Sequence, residues 1–333
     1  MSDVGNVRKR QRAESPEFER RVSAASLSSI INPEPETAAL ISSPTFHGNA
    51  NLQIDARPQS PMRLEANLFG ARPAEDIVRV VADFVYTHMK DRTNIEIEGK
   101  LGRLVDKKTG LRVNLPVMSE TALADDKNLR FESNMTLQQH AMFNKLLNQR
   151  VDETRRPEYR GSRVEYKHTK EVDRFYKIDG TRIRVTTDKD TGQVLSVITK
   201  NRVADLNIYS PRTKLDIRIT INEEQPMEQP DLEANKHILE RHKDRLSYRQ
   251  DMWSFDLTQV VSPEHETGPV NPYAIGPPKT TPAVTTHELE LEVADTKAWM
   301  SERTKVAANK PNNFHEITHT FLGNLRALAK RAI

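Results

Sequence analysis

The sequence contains no cysteine among its 333 residues. Disulfide bonds, thiolate zinc sites and cysteine nucleophiles are therefore excluded. No apolar run approaches the roughly 20 residues that a transmembrane helix needs. The basic stretch Met1–Arg12 is not followed by the apolar segment of a secretory signal. We expect a soluble, intracellular protein that does not bind a membrane.

The sequence also lacks a large net charge: 50 Lys and Arg residues against 47 Asp and Glu residues give a formal net charge of +3. Overall charge therefore indicates no class of partner. Only the arrangement of charges along the chain is informative about partners. The sequence has no Gly-rich phosphate loop of the Walker type. This absence excludes a P-loop NTPase.

Residues 1–65 are predicted to be a disordered tail, because their apolar residues are scattered among Ser, Pro, Ala and Asn without a period. The basic run Arg8–Arg12 is typical of a nuclear-localisation or nucleic-acid-binding cluster. Three Ser-Pro dipeptides, beginning at Ser15, Ser43 and Ser60, are candidate sites for proline-directed kinases. An ordinary solvated tail is the alternative, and we favour a nuclear location.

Residues 66–333 are predicted to form one domain in which strands outnumber helices. Apolar residues recur at helical spacing over about 74–91, Thr136–Arg150, Thr296–Ala307 and Phe314–Leu328. Alternation predicts these strands: Ile95–Leu101, Arg163–His168, Asp173–Ile178, Arg182–Thr187, Val194–Lys200, Lys214–Asn222, Arg241–Arg249, Trp253–Val260 and Glu288–Val293. Asp179-Gly180 and Asp190–Gly192 predict hairpin turns. The segment Ser262–Thr286, rich in Pro, Thr and Gly, is interpreted as a surface loop.

Charges recur at alternate positions on several of these strands. Glu96 and Glu98 share one face of the first strand, which alone could be an ordinary strand with its polar face in solvent. Glu288, Glu290 and Glu292 share one face of the last strand, where their repulsion opposes folding unless something offsets it. A bound divalent cation and neighbouring strands that carry Lys and Arg are the two available offsets.

A closed antiparallel β-barrel with its polar faces inward and its aliphatic faces covered by helices satisfies all the strands at once. We therefore predict an α+β fold of this kind. Its interior should be basic at Lys100, Arg184, Lys200, Arg241, Lys243 and Arg245. A carboxylate cluster without His or Cys suits Mg²⁺ or Mn²⁺, and a ring of Lys and Arg suits several phosphate groups. The combination favours phosphoryl transfer.

The Glu-x-Glu-x-Lys strand, Glu96, Glu98 and Lys100, resembles the signature of the triphosphate tunnel metalloenzymes. The wider pattern resembles the fungal mRNA 5′-triphosphatases, the beta subunit of the capping enzyme. It comprises Arg182–Thr186, Ile198–Lys200, Asp216–Glu224, Arg241–Tyr248, Asp256–Thr258 and Glu288–Glu292. The agreement runs from about residue 74 to residue 333, and the two glutamate strands with the basic strands between them make it specific.

The resemblance implies a role for each matching residue. Glu96, Glu98 and Glu292 would hold the metal, with Glu288 and Glu290 organising the site. Glu224 would be the general base or would orient the attacking water. The remaining catalytic residues would contact the phosphates or support those that do; they are Lys100, Arg184, Lys200, Arg241, Lys243, Arg245, Asp256 and Thr258. Water would attack the γ-phosphorus in one in-line step and leave a diphosphate end on the RNA.

The resemblance further implies Mg²⁺ as cofactor, with Mn²⁺ for hydrolysis of free nucleoside triphosphates. The expected partners are 5′-triphosphate RNA, an mRNA guanylyltransferase and a second copy of the chain in a homodimer. Two alternatives stay open from the residues themselves. One is a different tunnel enzyme, which hydrolyses thiamine triphosphate or inorganic tripolyphosphate or polymerises polyphosphate. The other is a non-catalytic scaffold that binds polyphosphate or RNA ends, which the five inward glutamates disfavour.

Overall fold

The computed structural model describes residues 75–90, 92–263 and 283–332. All of them lie within one compact unit, Glu65–Ile333. The predicted disordered tail 1–65 and its basic cluster lie outside the described residues and stay predictions. No helix in the described ranges is long and apolar enough to span a membrane.

The described residues contain α-helices and β-strands in an order close to the predicted one. The helices are α1 (Asp76–His88), α2 (Leu137–Arg155), α3 (Thr296–Ala307) and α4 (Phe314–Ala329). The strands are β1 (Ile95–Asp106), β2 (Thr121–Ala122), β3 (Leu129–Glu132), β4 (Glu165–Ile178), β5 (Thr181–Asp188), β6 (Val194–Tyr209), β7 (Asp216–Pro226), β8 (Leu239–Gln250), β9 (Trp253–Pro263) and β10 (Ala283–Val293).

The long strands close into an antiparallel barrel. They pair in the order β10-β9-β8-β4-β5-β6-β7-β1, and β1 also pairs with β10. The short strand β3 pairs with the last residues of β1, and β2 pairs with β6. Closure gives every long strand two neighbours, which removes the free edges of the sheet. The predicted closed barrel packed by helices is confirmed.

Two tight turns place consecutive strands of the barrel beside each other. Asp179 and Gly180 join β4 to β5 with φ of 49° and 80°, and two successive positive φ angles match the twist of antiparallel strands. Gly192, with φ of 73°, ends the turn between β5 and β6. Because successive hairpin turns lie at opposite ends of a barrel, these two turns mark its two ends.

Several predictions of element bounds are wrong, among them the ends of β1 and β6, which continue to Asp106 and Tyr209. Arg163–His168 and Asp173–Ile178 belong to the single strand β4, because the residues between them contain no turn former and pair with β8. Strands β2 and β3 were not predicted, since two and four residues are too short to show a period. The predicted loop Ser262–Thr286 is shorter at both ends, because β9 extends to Pro263 and β10 begins at Ala283; residues 264–282 lie outside the described ranges.

The outer face of the barrel is apolar and is covered by helices. Ile97 and Leu101 of β1 are almost fully buried. Against this face lies an aromatic cluster in which the rings of Trp253 and Phe321 stack with centroids 5.8 Å apart. Trp299 of α3 is fully buried in the same cluster. The helices therefore supply the apolar surface that keeps the aliphatic strand faces out of water.

Gly99 lets α4 approach β1 closely. A Cβ atom at this position would lie 2.4 Å from Cδ1 of Leu325. Leu325 is fully buried, and a displaced side chain would meet the close packing of a protein interior. Gly99 lies between Glu98 and Lys100 in the chain, so the packing of α4 determines the position of the strand that carries both.

We expect Gly99→Ala to lower the free energy of unfolding by about 1–3 kcal/mol, because the added methyl group overpacks this contact. Gly323→Ala is the matched control, since a Cβ there meets no atom within 4 Å. The control should stabilise α4 by about 0.5–1 kcal/mol, because Ala is the better helix former. Urea unfolding of both variants measures the difference. Equal stability of the two variants would contradict the tight packing of Gly99.

Candidate functional site

The interior of the barrel contains two cavities that share Arg184 and Lys200 as lining residues. The first, which we call the arginine-rich cavity, has a volume of about 340 Å³ and is lined by Glu98, Lys100, Phe175, Arg182, Arg184, Lys200, Arg202, Asn222 and Arg241. The second, the glutamate-rich cavity, has a volume of about 240 Å³ and is lined by Glu96, Glu171, Arg184, Thr186, Leu195, Ser196, Lys200, Glu224, Lys243, Arg245 and Glu292. Most of the predicted site residues therefore line one continuous interior.

The two cavities lie toward opposite ends of the barrel. Phe175 and Arg182 flank the turn between β4 and β5 and line the arginine-rich cavity. Leu195 and Ser196 follow the turn between β5 and β6 and line the glutamate-rich cavity. Since these turns mark the two ends of the barrel, the interior has an arginine-rich end and a glutamate-rich end.

The two glutamate strands meet where the barrel closes. In the pairing of β1 with β10, Glu98 lies opposite Glu292 and Lys100 lies opposite Glu290. Asn222 on β7, the other neighbour of β1, donates hydrogen bonds from Nδ2 to Glu96 at 2.8 Å and to Glu98 at 3.1 Å. The pairing places the three predicted metal-binding carboxylates side by side.

Two lysines neutralise part of this carboxylate cluster. Nζ of Lys100 donates to Glu290 at 2.5 Å and lies 3.3 Å from Glu98. Nζ of Lys200 forms an ion pair with Glu96 and lies 3.4 Å from Glu224. Burial lowers the pKa of both ammonium groups, but the adjacent carboxylates outweigh it, so both pKa values are raised.

Two carboxylates of the cluster, Glu292 and Glu98, are destabilised in their charged form. Burial, with the charges of Glu96 and Asp256, raises the pKa of Glu292 to about 8. Burial, with the charges of Glu290 and Glu96, raises the pKa of Glu98 to about 7. Burial opposes the charge of Glu290 as well, but Lys100 outweighs it and lowers the pKa of Glu290 to about 2. The cluster thus holds more negative charge than its two lysines compensate.

The donor set of this cluster fits a hard divalent cation. Its donors are carboxylate oxygens, which Mg²⁺ and Mn²⁺ prefer. In the described ranges no side chain forms a hydrogen bond or ion pair with Glu292, although it lies directly opposite Glu98. Within those same ranges no three Asp, Glu or His side chains are arranged as a complete metal site. Lys100 and Lys200 contact Glu98 and Glu96 in the structure.

The predicted basic residues are held by acidic neighbours. Arg184 lies 3.2 Å from Glu224, and Arg241 lies 3.3 Å from Glu288. Arg245 lies 3.4 Å from Asp256, while Oγ1 of Thr258 is buried and has no hydrogen-bond partner in the described residues. These contacts place Asp256 beside a phosphate-binding candidate, as the resemblance implies, and leave the hydroxyl of Thr258 available. The catalytic roles themselves stay predictions.

Asp173 is an interior residue that the sequence reasoning missed. It is fully buried on β4, accepts a hydrogen bond from Oγ1 of Thr186 at 2.7 Å and forms an ion pair with Lys243. Burial, with the positive charges of Arg245 and Arg184, lowers the pKa of Lys243 despite this partner. Glu171, Asp173 and Phe175 alternate along β4 and therefore share one of its faces. The two separate strands predicted from the sequence leave Glu171 outside both, so this shared face is not recognised.

Comparison with known proteins matches this chain to one family over most of its length. The family model described as mRNA capping enzyme, beta chain, matches residues 71–333. The chain is 32% identical over 280 residues to the mRNA-capping enzyme subunit beta of Schizosaccharomyces pombe, covering 80% of this chain and 85% of that protein. It is also 32% identical over 292 residues to the subunit of the same name from Cryptococcus neoformans, covering 85% of this chain and 68% of that protein.

A solved structure agrees with these relatives. The solved structure of the S. pombe RNA triphosphatase Pct1 superimposes with a TM-score of 0.70 and 30% identity, covering 82% of this chain and 99% of that chain. The range of the family model, residues 71–333, includes the barrel, its helices and both glutamate strands. This chain therefore belongs to the family of the mRNA capping enzyme beta chain.

Proposed function

We propose that this protein is an RNA 5′-triphosphatase that hydrolyses the γ-phosphate of triphosphate-ended pre-mRNA, the first step of cap formation, in a reaction that requires a divalent cation. One observation carries the proposal. A cluster of buried and half-buried carboxylates with excess negative charge lies in the same interior as a set of Arg and Lys side chains, in a member of the capping-enzyme family. This combination suits positioning and charge stabilisation of a triphosphate.

Glu96, Glu98 and Glu292 would hold the cation, Mg²⁺ in the first place and Mn²⁺ for free nucleoside triphosphates. When bound, the cation would supply charge neutralisation at the phosphoryl oxygens. Glu288 and Glu290 would keep Arg241 and Lys100 in position through the ion pairs that they form. Excess negative charge at the three ligands supports this assignment, because a cation removes their mutual repulsion.

Arg184, Lys200, Lys243 and Arg245 would bind the triphosphate, exchanging their carboxylate partners for phosphate oxygens. Glu224 would orient the attacking water and accept its proton. Oxygen of the water would bond to the γ-phosphorus as the bond to the β–γ bridging oxygen breaks, which yields inorganic phosphate and diphosphate-ended RNA. Lys200 supports this placement, because its Nζ contacts both Glu224 and the proposed metal ligand Glu96.

The proposal also covers the cellular setting. Nuclear location, a homodimer and a guanylyltransferase partner accord with a role in cap formation. Co-purification with the guanylyltransferase and sedimentation of the purified protein would test the two assembly proposals.

We expect Glu96→Ala and Glu292→Ala each to lower the rate of phosphate release from γ-labelled triphosphate RNA by about 10³-fold, because a cation site is worth several kcal/mol of transition-state stabilisation. Glu223→Ala is the matched control. Glu223 neighbours Glu224 in the chain, but its side chain faces away from the barrel interior and pairs with Arg92. The assay is run with Mg²⁺, with Mn²⁺ and with a chelator. Cleavage of tripolyphosphate or thiamine triphosphate without cleavage of RNA contradicts the RNA assignment, and an inert wild type that binds RNA supports the scaffold.

Glu224→Gln should lower kcat by about 10²-fold, because proton transfer by a positioned side chain contributes at least that much. The substitution keeps a side chain that can accept a hydrogen bond but removes the base. Binding of Mn²⁺, followed by calorimetry, should change little, because Glu224 is not among the proposed ligands. An equal loss of metal affinity and of rate would identify Glu224 as a ligand instead.

The stability of the metal-free protein should fall as pH rises from about 4.5 to 8. Glu98 and Glu292 have raised pKa values in the folded state, about 7 and about 8. The folded state then binds more protons than the unfolded state across that window, so rising pH favours unfolding, by on the order of a few kcal/mol. Thermal unfolding in a chelator measures the effect. Glu292→Gln should flatten the pH curve, and Mg²⁺ should restore stability at pH 8 only in the wild type; parallel curves for wild type and variant would contradict the cluster's excess charge.

A further inference from the structure

The two ends of the barrel interior, which we call the tunnel, differ in charge. The arginine-rich cavity is lined by one carboxylate, Glu98, and by the cations Lys100, Arg182, Arg184, Lys200, Arg202 and Arg241. The glutamate-rich cavity is lined by as many carboxylates as cations, namely Glu96, Glu171, Glu224 and Glu292 against Arg184, Lys200, Lys243 and Arg245. An RNA strand carries a negative charge at each nucleotide, so electrostatics favour its passage through the arginine-rich end.

The arginine-rich end also carries an aromatic ring beside a guanidinium group. The guanidinium carbon of Arg182 lies 4.4 Å from the centroid of the Phe175 ring. Arg182 is exposed, and no carboxylate in the described ranges forms an ion pair with it. Phe175 is half-buried and contributes a ring to a lining made otherwise of charged and amide side chains. We call this pair the Phe175–Arg182 platform.

The platform lies on the side of the strands that faces the tunnel. Phe175 pairs in register with Arg184, a tunnel-lining residue, so both side chains lie on the inner face. The apolar side chains that stabilise this hairpin lie on the opposite face, where Tyr176, Ile183 and Val185 form a buried cluster of their own. Phe175 lies outside that cluster, and its partner in register on β8 is Leu239.

We propose that the Phe175–Arg182 platform stacks the first nucleobase of triphosphate-ended RNA, and that the strand leaves the tunnel through the arginine-rich end. The proposal rests on the proposed RNA triphosphatase function. Unstacked bases pack on aromatic rings and on guanidinium planes, and such stacking accepts any base. Arg182 and Arg184 are two residues apart on β5, about 7 Å. A phosphate held by Arg184 and a base on Arg182 can therefore belong to the same nucleotide.

The test compares ligands with and without a first base. A short triphosphate RNA, the same RNA with an abasic first nucleoside, and inorganic tripolyphosphate compete in one hydrolysis assay. In the wild type, the intact RNA should have a KM about tenfold lower than the abasic RNA, in line with the contribution of one stacked base. Phe175→Ala and Phe175→Leu should remove this preference, and Phe175→Trp should keep it. The Leu variant retains apolar volume, so a loss there reports the ring and not misfolding.

Arg182→Lys tests the guanidinium plane at constant charge and should reduce the preference for the intact RNA. Leu195→Ala is the matched control at the glutamate-rich end, where Leu195 is half exposed; it should keep the wild-type preference. Loss of the preference in Leu195→Ala, or its retention in both Phe175→Ala and Phe175→Leu, overturns the platform while the triphosphatase function stands. A wild type that hydrolyses tripolyphosphate but not RNA instead overturns the proposed function on which the platform rests.

Discussion

The tertiary structure depends on how negative charge is compensated where β1 and β10 close the barrel. Glu98 lies opposite Glu292 there, inside a closed sheet from which the carboxylates cannot turn outward. Lys100 and Lys200 compensate part of this charge, and they do so from β1 itself and from β6. Strand closure and charge compensation therefore require each other: the barrel brings the carboxylates together, and the lysines allow it to close.

The same constraint explains the outer surface. With charged side chains inside, the aliphatic faces of the strands must point outward, and they need cover from water. α1, α3 and α4 provide that cover, and the close contact of Leu325 with Gly99 transmits the helix position to the strand that carries Glu98 and Lys100. The chain thus has its apolar core between barrel and helices, and its polar interior is free for a ligand.

A charged interior of this kind is prepared for a polyphosphate. Arg184, Arg241 and Arg245 each have a carboxylate neighbour that holds the guanidinium in place before any ligand arrives. Prepositioned cations need little reorganisation when phosphate oxygens replace those neighbours, which is the basis of electrostatic preorganisation. The balanced charge at one end of the interior and the excess of cations at the other give it a direction, and a triphosphate-ended strand has a direction too.

The sequence by itself determined the alternation of Glu96 with Glu98 and of Glu288 with Glu290 and Glu292, hence the strands and the face that each carboxylate shares, because side-chain direction has a period of two. It also determined α3 to the residue and the two hairpin turns, through local helix and turn chemistry. Only the tertiary structure decided that β1 pairs with β10, that Asp173 forms an ion pair with Lys243, and that Phe175 lies inside beside Arg182. These contacts join residues on different strands, and the register between strands depends on all the side chains of the closed barrel together.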